Sequence, residues 1–181
     1  MLNARRFMGV ATLVCAVGAG TGCSGGGLSP SNAGGSEADH PLIGAKAPDF
    51  DLKAQHGGSR ASLAAVAGKV VIVDFWATWC DPCKESFPHY QAMLDRHGGE
   101  LAVIGVSVDE EPSGVANFGR QTGVSFPLAW DDGQSVSRQY SPSTMPTSFV
   151  IDKNGIVRYV HAGFRSGDEA ELEQRVTELL K

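Results

Sequence analysis

The sequence predicts an α/β fold with a mixed central sheet and helices on both faces, and three stretches carry that prediction. "VVIVDFWA" and "LAVIGVSVD" are unbroken apolar runs rich in Val and Ile, the pattern of strands covered on both faces. "CDPCKESFPHYQAMLDRHGG" lies between them with helical spacing, so the two strands are joined by a right-handed crossover and run parallel. "TSFVIDKNGIVRYVHAG" breaks at Lys153-Asn154-Gly155. Asn-Gly is a strong hairpin signal, so antiparallel strands are added at one edge.

Taken in chain order, residues 1–22 read as an export leader. Arg5 and Arg6 form the basic start, Val10 to Val17 is a short apolar run, and small residues follow. The run is too short to span a bilayer. "GAGTGCSGGG" resembles a bacterial lipoprotein cleavage box, which implies an acylated Cys23 at the start of the mature chain; Gly20 stands where that box usually has Leu. An ordinary signal peptide with incidental cysteines is the alternative. Residues 23–40 are rich in Gly and Ser and read as a lipid-anchored flexible linker, the 24–40 stretch reaching roughly 20–25 Å. The globular domain is then 41–181.

"PDFDLKA" alternates and "HGGSRASL" turns back, which predicts a short hairpin. The helix that follows the first buried strand has Asp81 and Pro82 in its first turn, an expected kink at Pro88 and a Gly pair at its end. After the second buried strand, "EPSGVANFGRQTG" reads as a helix, "FPLAWD" as a short strand and "GQSVSRQY" as one or two helical turns. In the last helix Leu172, Val176, Leu179 and Leu180 repeat at helical spacing, with acids early and Lys181 last, as the helix dipole prefers. Hydrophobic content of 42% and charged content of 19% suit a chain that buries a core. A net charge of -5 offers no basic footprint for nucleic acid. His40, His56 and His161 are expected in surface or loop positions, Phe126 and Trp130 in the core. Asp109, Glu110 and Glu111 read as a solvated acidic loop.

Cys15 leaves with the leader and Cys23 is capped, so the exported part holds Cys80 and Cys83, spaced C-x-x-C. Four uses compete for such a pair. Structural zinc generally wants four protein ligands, and no second pair exists in the exported region; His89 and His97 are better explained as polar or satisfied helix positions. A purely structural disulfide across so short a loop would add little stability. A peroxide-reducing site would carry P-x-x-x-[ST]-x-x-C, but Val73 and Ala77 occupy those places. Thiol–disulfide exchange fits best. At a helix N-terminus, unpaired N–H groups and the dipole stabilise the thiolate of Cys80, the exposed attacker, while Cys83 within the first turn resolves the mixed disulfide. Asp81 between them adds negative charge that opposes the thiolate, which favours a reductant over an oxidant.

"FWATWCDPC", with "APDFDL" ahead and "MPTSFVIDKNG" behind, resembles the TlpA/ResA-type thioredoxin-like proteins, membrane-anchored extracytoplasmic thiol–disulfide oxidoreductases, over about residues 42–180. The resemblance implies a thioredoxin-like fold with an N-terminal hairpin and an insertion, residues 101–127, between the C-x-x-C helix and the cis-proline strand. It makes Pro146 the cis-proline and Met145 the residue whose backbone pairs with a client. Trp79 becomes the tryptophan beside the attacking sulfur, and Trp79, Asp81, Pro82, Met145 and Pro146 form the client-binding surface. Asp74 stands where thioredoxins carry a buried acid and where this group often has Asn; it is the expected proton acceptor for Cys83. The group commonly has an acid two places before the helix proline, where this chain has Ser86. Glu85, one place earlier, is turned by about 100° on a helix.

The expectation is an extracytoplasmic, lipid-anchored, monomeric reductase of protein disulfides on the periplasmic side, with no metal or organic cofactor. Its electrons would come from a membrane dithiol protein. Its clients would include apocytochrome c, kept reduced for haem attachment in cytochrome c maturation. A peroxiredoxin-like thiol peroxidase and a non-catalytic partner-binding lipoprotein are the alternatives.

Overall fold

Eight strands share one mixed sheet in the computed structural model, which describes residues 35–181. The expected leader, Cys15, Cys23 and linker residues 23–34 lie outside the described residues. The strands are β1 (Gly35–Ser36), β2 (Asp51–His56), β3 (Arg60–Ser62), β4 (Val70–Trp76), β5 (Leu101–Ser107), β6 (Leu128–Trp130), β7 (Thr147–Ile151) and β8 (Val157–Ala162). Four α-helices are interspersed: α1 (Asp81–His97), α2 (Val115–Thr122), α3 (Ser137–Tyr140) and α4 (Asp168–Leu180). The spatial order is β1-β8-β7-β4-β5-β6-β2-β3. β4, β5 and β6 are parallel, with α1 as the β4–β5 crossover, while β7 runs antiparallel to β4 and β8 antiparallel to β7.

β4 shows why a continuous apolar run was needed. Val70, Ile72 and Trp76 pack into one cluster with Phe87, Tyr90 and Met93 of α1, Phe118 of α2, and Leu172 and Val176 of α4. Val71, Val73 and Phe75 point to the opposite cluster, with Phe50, Val136, Tyr140, Phe149 and Val160. The period of two along the strand therefore meets apolar cover on both sides. Asp74 is the exception, a fully buried carboxylate on the α1 side of the sheet.

α1 buries Cys83, Ser86, Phe87, Tyr90 and Met93 at helical spacing. It runs from Asp81 to His97 with Pro88 inside. Pro88 is exposed, so the Lys84 carbonyl it leaves without a partner faces the solvent side.

Several positions differ from their sequence expectation. Chain order begins within the expected linker, because Ser36 pairs with His161 in the sheet, and the His40 ring meets Phe149 edge-on. The first seven residues of the expected insertion are β5, a central strand, so α2 and β6 are what lengthens the connection to β7. His161 is a buried sheet residue, bonded to Asp168 of α4 at 3.1 Å and to the Tyr159 hydroxyl at 3.3 Å. His56 is half-buried against the Val124 carbonyl at 2.6 Å. Asp109 is buried, unlike its neighbours Glu110 and Glu111, because the backbone of the preceding loop needs its carboxylate.

Candidate active site

The two cysteines meet where β4 ends and α1 begins. Cys80 is the helix N-cap, with extended backbone, and its Sγ accepts the Cys83 N–H at 3.2 Å, one of the donors a helix start leaves unpaired. Pro82 in the first turn lacks an N–H and so wastes none. Cys80 and Cys83 form a disulfide with their Cα atoms 5.3 Å apart. The sulfur expected to be exposed shows little surface: Cys80 is 4% exposed and Cys83 is fully covered. The reason is local, since the disulfide and the N-cap bond both turn the Cys80 sulfur inward.

The loop carrying Cys80 is held from β5. Asp109 accepts the Thr78 N–H at 3.0 and 3.2 Å, the Thr78 hydroxyl at 2.8 Å and the Ser107 hydroxyl at 2.7 Å. The Asp109 carbonyl in turn accepts the Trp130 indole N–H at 2.8 Å. Trp79, released to the outside by this arrangement, is 69% exposed.

Asp74 lies on β4 six residues before Cys80, level with Ser148 of β7. Its Oδ1 accepts the Ser148 hydroxyl at 2.6 Å and the Tyr90 hydroxyl at 3.2 Å. Its Oδ2 is buried with no hydrogen-bond partner. Burial raises the carboxyl from 3.8 to about 7, against the lowering effect of the Ser148 and Tyr90 hydrogen bonds. A group poised near neutrality on the strand that leads into a dithiol suits proton exchange.

Ser86 is buried and donates to the Cys83 carbonyl at 3.2 Å, whereas Glu85 is exposed. The carboxylate beneath the helix start therefore comes from the strand rather than from α1. Asp81 and Pro82 are exposed, and Lys84 donates to Asp81 at 2.8 Å, which offsets part of the negative charge beside Cys80.

Antiparallel pairing of β4 with β7 sets the start of β7 beside the end of β4, with Phe75 level with Thr147. The Met145–Pro146 peptide bond just ahead is cis. Pro146 is buried, its carbonyl accepting the Gly163 N–H at 2.7 Å, and Met145 is half-buried. Met145 and Trp79 line one open groove of about 600 Å³ together with Val108, Glu110 and Arg138. The structure thus gathers Cys80, Cys83, Asp74, Trp79, Met145 and Pro146 at one end of the sheet. It adds Tyr90, Ser148, Thr78 and Asp109, which the sequence reading did not select. Tyr90 had a trace in the sequence, since it falls seven residues after Cys83 on the buried stripe of α1.

Comparison with known proteins agrees with this geometry. The profile of the AhpC/TSA family matches residues 43–160. The thiol-disulfide oxidoreductase ResA of Bacillus subtilis is 38% identical over 122 residues, 66% of this chain and 67% of that protein. The thioredoxin-like protein YneN of the same organism is 31% identical over 136 residues, 74% of this chain and 78% of that protein. Among solved structures, a candidate thiol:disulfide interchange protein DsbE from Chlorobium tepidum superposes with a TM-score of 0.72 at 37% identity, covering 77% of this chain and 98% of its own.

Proposed function

The chain belongs to the AhpC/TSA family and is a thioredoxin-like thiol–disulfide oxidoreductase of ResA type, and from that activity we propose that it reduces protein disulfides outside the cytoplasm. The observation that carries the reading is the placement of Cys80 as the N-cap of α1 in a disulfide with Cys83. In the dithiol form the Cys80 thiolate, favoured by the helix dipole, attacks a client disulfide. A bond forms between Cys80 and one client sulfur, and the other client sulfur leaves as a thiolate that takes a proton from solvent. Cys83 then gives its proton to Asp74, and its thiolate attacks the Cys80 sulfur. The protein disulfide forms and the second client thiolate departs. Two electrons have passed from the protein to the client.

Trp79, Asp81, Pro82 and Met145 are the surface that meets the client, with the buried Pro146 fixing the cis turn beside them and the Met145 backbone available for strand-like pairing. Because Asp74 accepts a proton only in its ionised form, the resolving step rises with pH through about 7. The dithiol is regenerated by a membrane-bound dithiol protein. Cleavage after residue 22 and acylation of Cys23 tether the domain to the membrane through the linker, and apocytochrome c is the proposed client class.

A Cys83→Ala variant tests the central step, because it removes resolution and leaves attack. Mixed disulfides through Cys80 should accumulate in cells and disappear on treatment with dithiothreitol. Their absence would sink the reductase reading and favour a non-catalytic binding protein. A Cys80→Ala strain with normal c-type cytochromes would remove the cytochrome client, and a Cys23→Ser variant that still takes up labelled palmitate would remove the anchor.

A further inference from the structure

We infer that Tyr90 and Ser148 are positioning residues for Asp74, together occupying its Oδ1 and leaving Oδ2 as the oxygen that takes the proton from Cys83. The inference rests on Asp74 being the base. Its own evidence is geometric. The Ser148 hydroxyl has one proton, and the 2.6 Å contact directs it to Asp74 Oδ1. That leaves the Ser148 oxygen as an acceptor, and the Tyr90 hydroxyl lies 2.8 Å from it and 3.2 Å from Asp74 Oδ1. Tyr90 is therefore a donor shared between the two, polarising Ser148 and reinforcing its bond to the carboxylate. Burial pushes the Tyr90 phenol well above 10, so it stays a neutral donor throughout the working range. The opposite oxygen, Oδ2, is buried and has no partner of its own. A buried carboxylate with one oxygen saturated and one bare has a defined place for a proton.

The surroundings leave few competing groups. α1 contributes Cys83 and Tyr90, with Ser86 bonded to the Cys83 carbonyl and its side chain also acting on the Tyr90 phenol. β7 contributes Ser148, and β8 brings His161 one strand further on, held by Asp168 of the α4 first turn and by Tyr159. β5 presents Gly105 and Ser107, the latter bonded to Asp109. β4 itself, α2 and α4 present Ile72, Trp76, Phe118, Leu172 and Val176. The charged residues Arg96 and Glu173 pair with each other at the outer surface of α1 and α4.

Hydrogen bonds to the carboxylate favour its ionised form, so deleting them should drive the Asp74 midpoint up. Each deletion removes one oxygen atom. The test is a carbon-13 titration of the Asp74 carboxyl in the oxidised protein. Ser148→Ala should raise the midpoint by about one to two pH units and Tyr90→Phe by about one, the usual worth of a hydrogen bond to a charged group. Ser148→Thr should restore most of it. The pH profile of client reduction should move by the same amount with its alkaline plateau kept. Midpoints that stay where the parent's lies, in either variant, overturn the inference. Shifted midpoints combined with an Asp74→Asn enzyme of unchanged pH profile would instead overturn the base role on which it rests.

Discussion

Replacing Asp74 by Asn should change how the stability of the oxidised protein depends on pH, and the size of the change follows from burial. The Asp74 carboxyl stands at about 7 in the fold against 3.8 in an ordinary environment, because desolvation outweighs its hydrogen bonds to Ser148 and Tyr90. The folded state thus binds this proton more tightly than the unfolded chain does. Its contribution to stability is fully present below about pH 4, is lost as pH rises towards about 7, and is flat above. A rise of about three units corresponds to about 4 kcal/mol over the whole window, or about 1.4 kcal/mol per pH unit within it.

Asn keeps an acceptor where Ser148 and Tyr90 donate and has nothing to titrate. Its amide NH₂ enters the partnerless Oδ2 position, which adds a constant cost of about 1–3 kcal/mol. The level of stability therefore says little, and the slope decides. Urea unfolding of both proteins under non-reducing conditions, from pH 4 to 9, gives a difference curve in which the other carboxylates cancel. Asp51, Asp81, Asp152, Glu169 and Glu178, which all lie below the ordinary carboxylate range, are among the groups that drop out. Relative to wild type, Asp74→Asn should gain steadily between pH 4 and 7 and then level off. A difference that stays constant over that range would refute the raised carboxyl and, with it, the case for Asp74 as a neutral-pH base.

Asp109→Ala removes the acceptor of the half-buried Thr78 N–H and hydroxyl and should cost about 1–3 kcal/mol in urea unfolding. The same variant should slow client disulfide reduction by up to about 10²-fold, because the loop that aims Cys80 loses its anchor. Lys84→Ala leaves the Asp81 charge unopposed beside Cys80. The thiolate should become less favoured and the potential more negative by less than about 30 mV in equilibration with glutathione, since the pair is exposed. Gly105→Ala places a methyl 2.6 Å from Leu128 and 3.0 Å from the Trp76 indole nitrogen, and should destabilise by about 1–3 kcal/mol.

The parts of the fold legible from sequence were those governed by local period and turn chemistry. Val70 to Trp76 could be recognised as a strand covered on both faces because no alternation interrupts it, and Asn154-Gly155 marks the β7–β8 reversal by its backbone preference. The Cys80 N-cap was legible for the same reason, since a short polar side chain followed by Asp-Pro announces a helix start. What escaped was set by pairing between distant strands. Asp109 reads in sequence as the first of three acids after a strand. Only the parallel ladder of β5 with β4, which brings Ser107 level with Trp76, sets its carboxylate under the Thr78 N–H.

His161 was misread on the same grounds, and its place explains more than its own burial. β4, β7 and β8 bring Asp74, Ser148 and His161 level with one another, so the α1 side of the sheet carries a polar row through an otherwise apolar cluster. Every member of that row is bonded: Asp74 by Ser148 and Tyr90, His161 by Asp168 and Tyr159. A buried polar row is costly unless its hydrogen bonds are filled, and among Asp74, Ser148 and His161 the open position is Asp74 Oδ2; the Trp76 indole nitrogen on the same face is likewise buried without a partner. A fold selected for stability alone would fill that position or replace the carboxylate with an apolar side chain. An open carboxylate oxygen on the strand that leads into the C-x-x-C pair is what the proposed proton transfer from Cys83 would use.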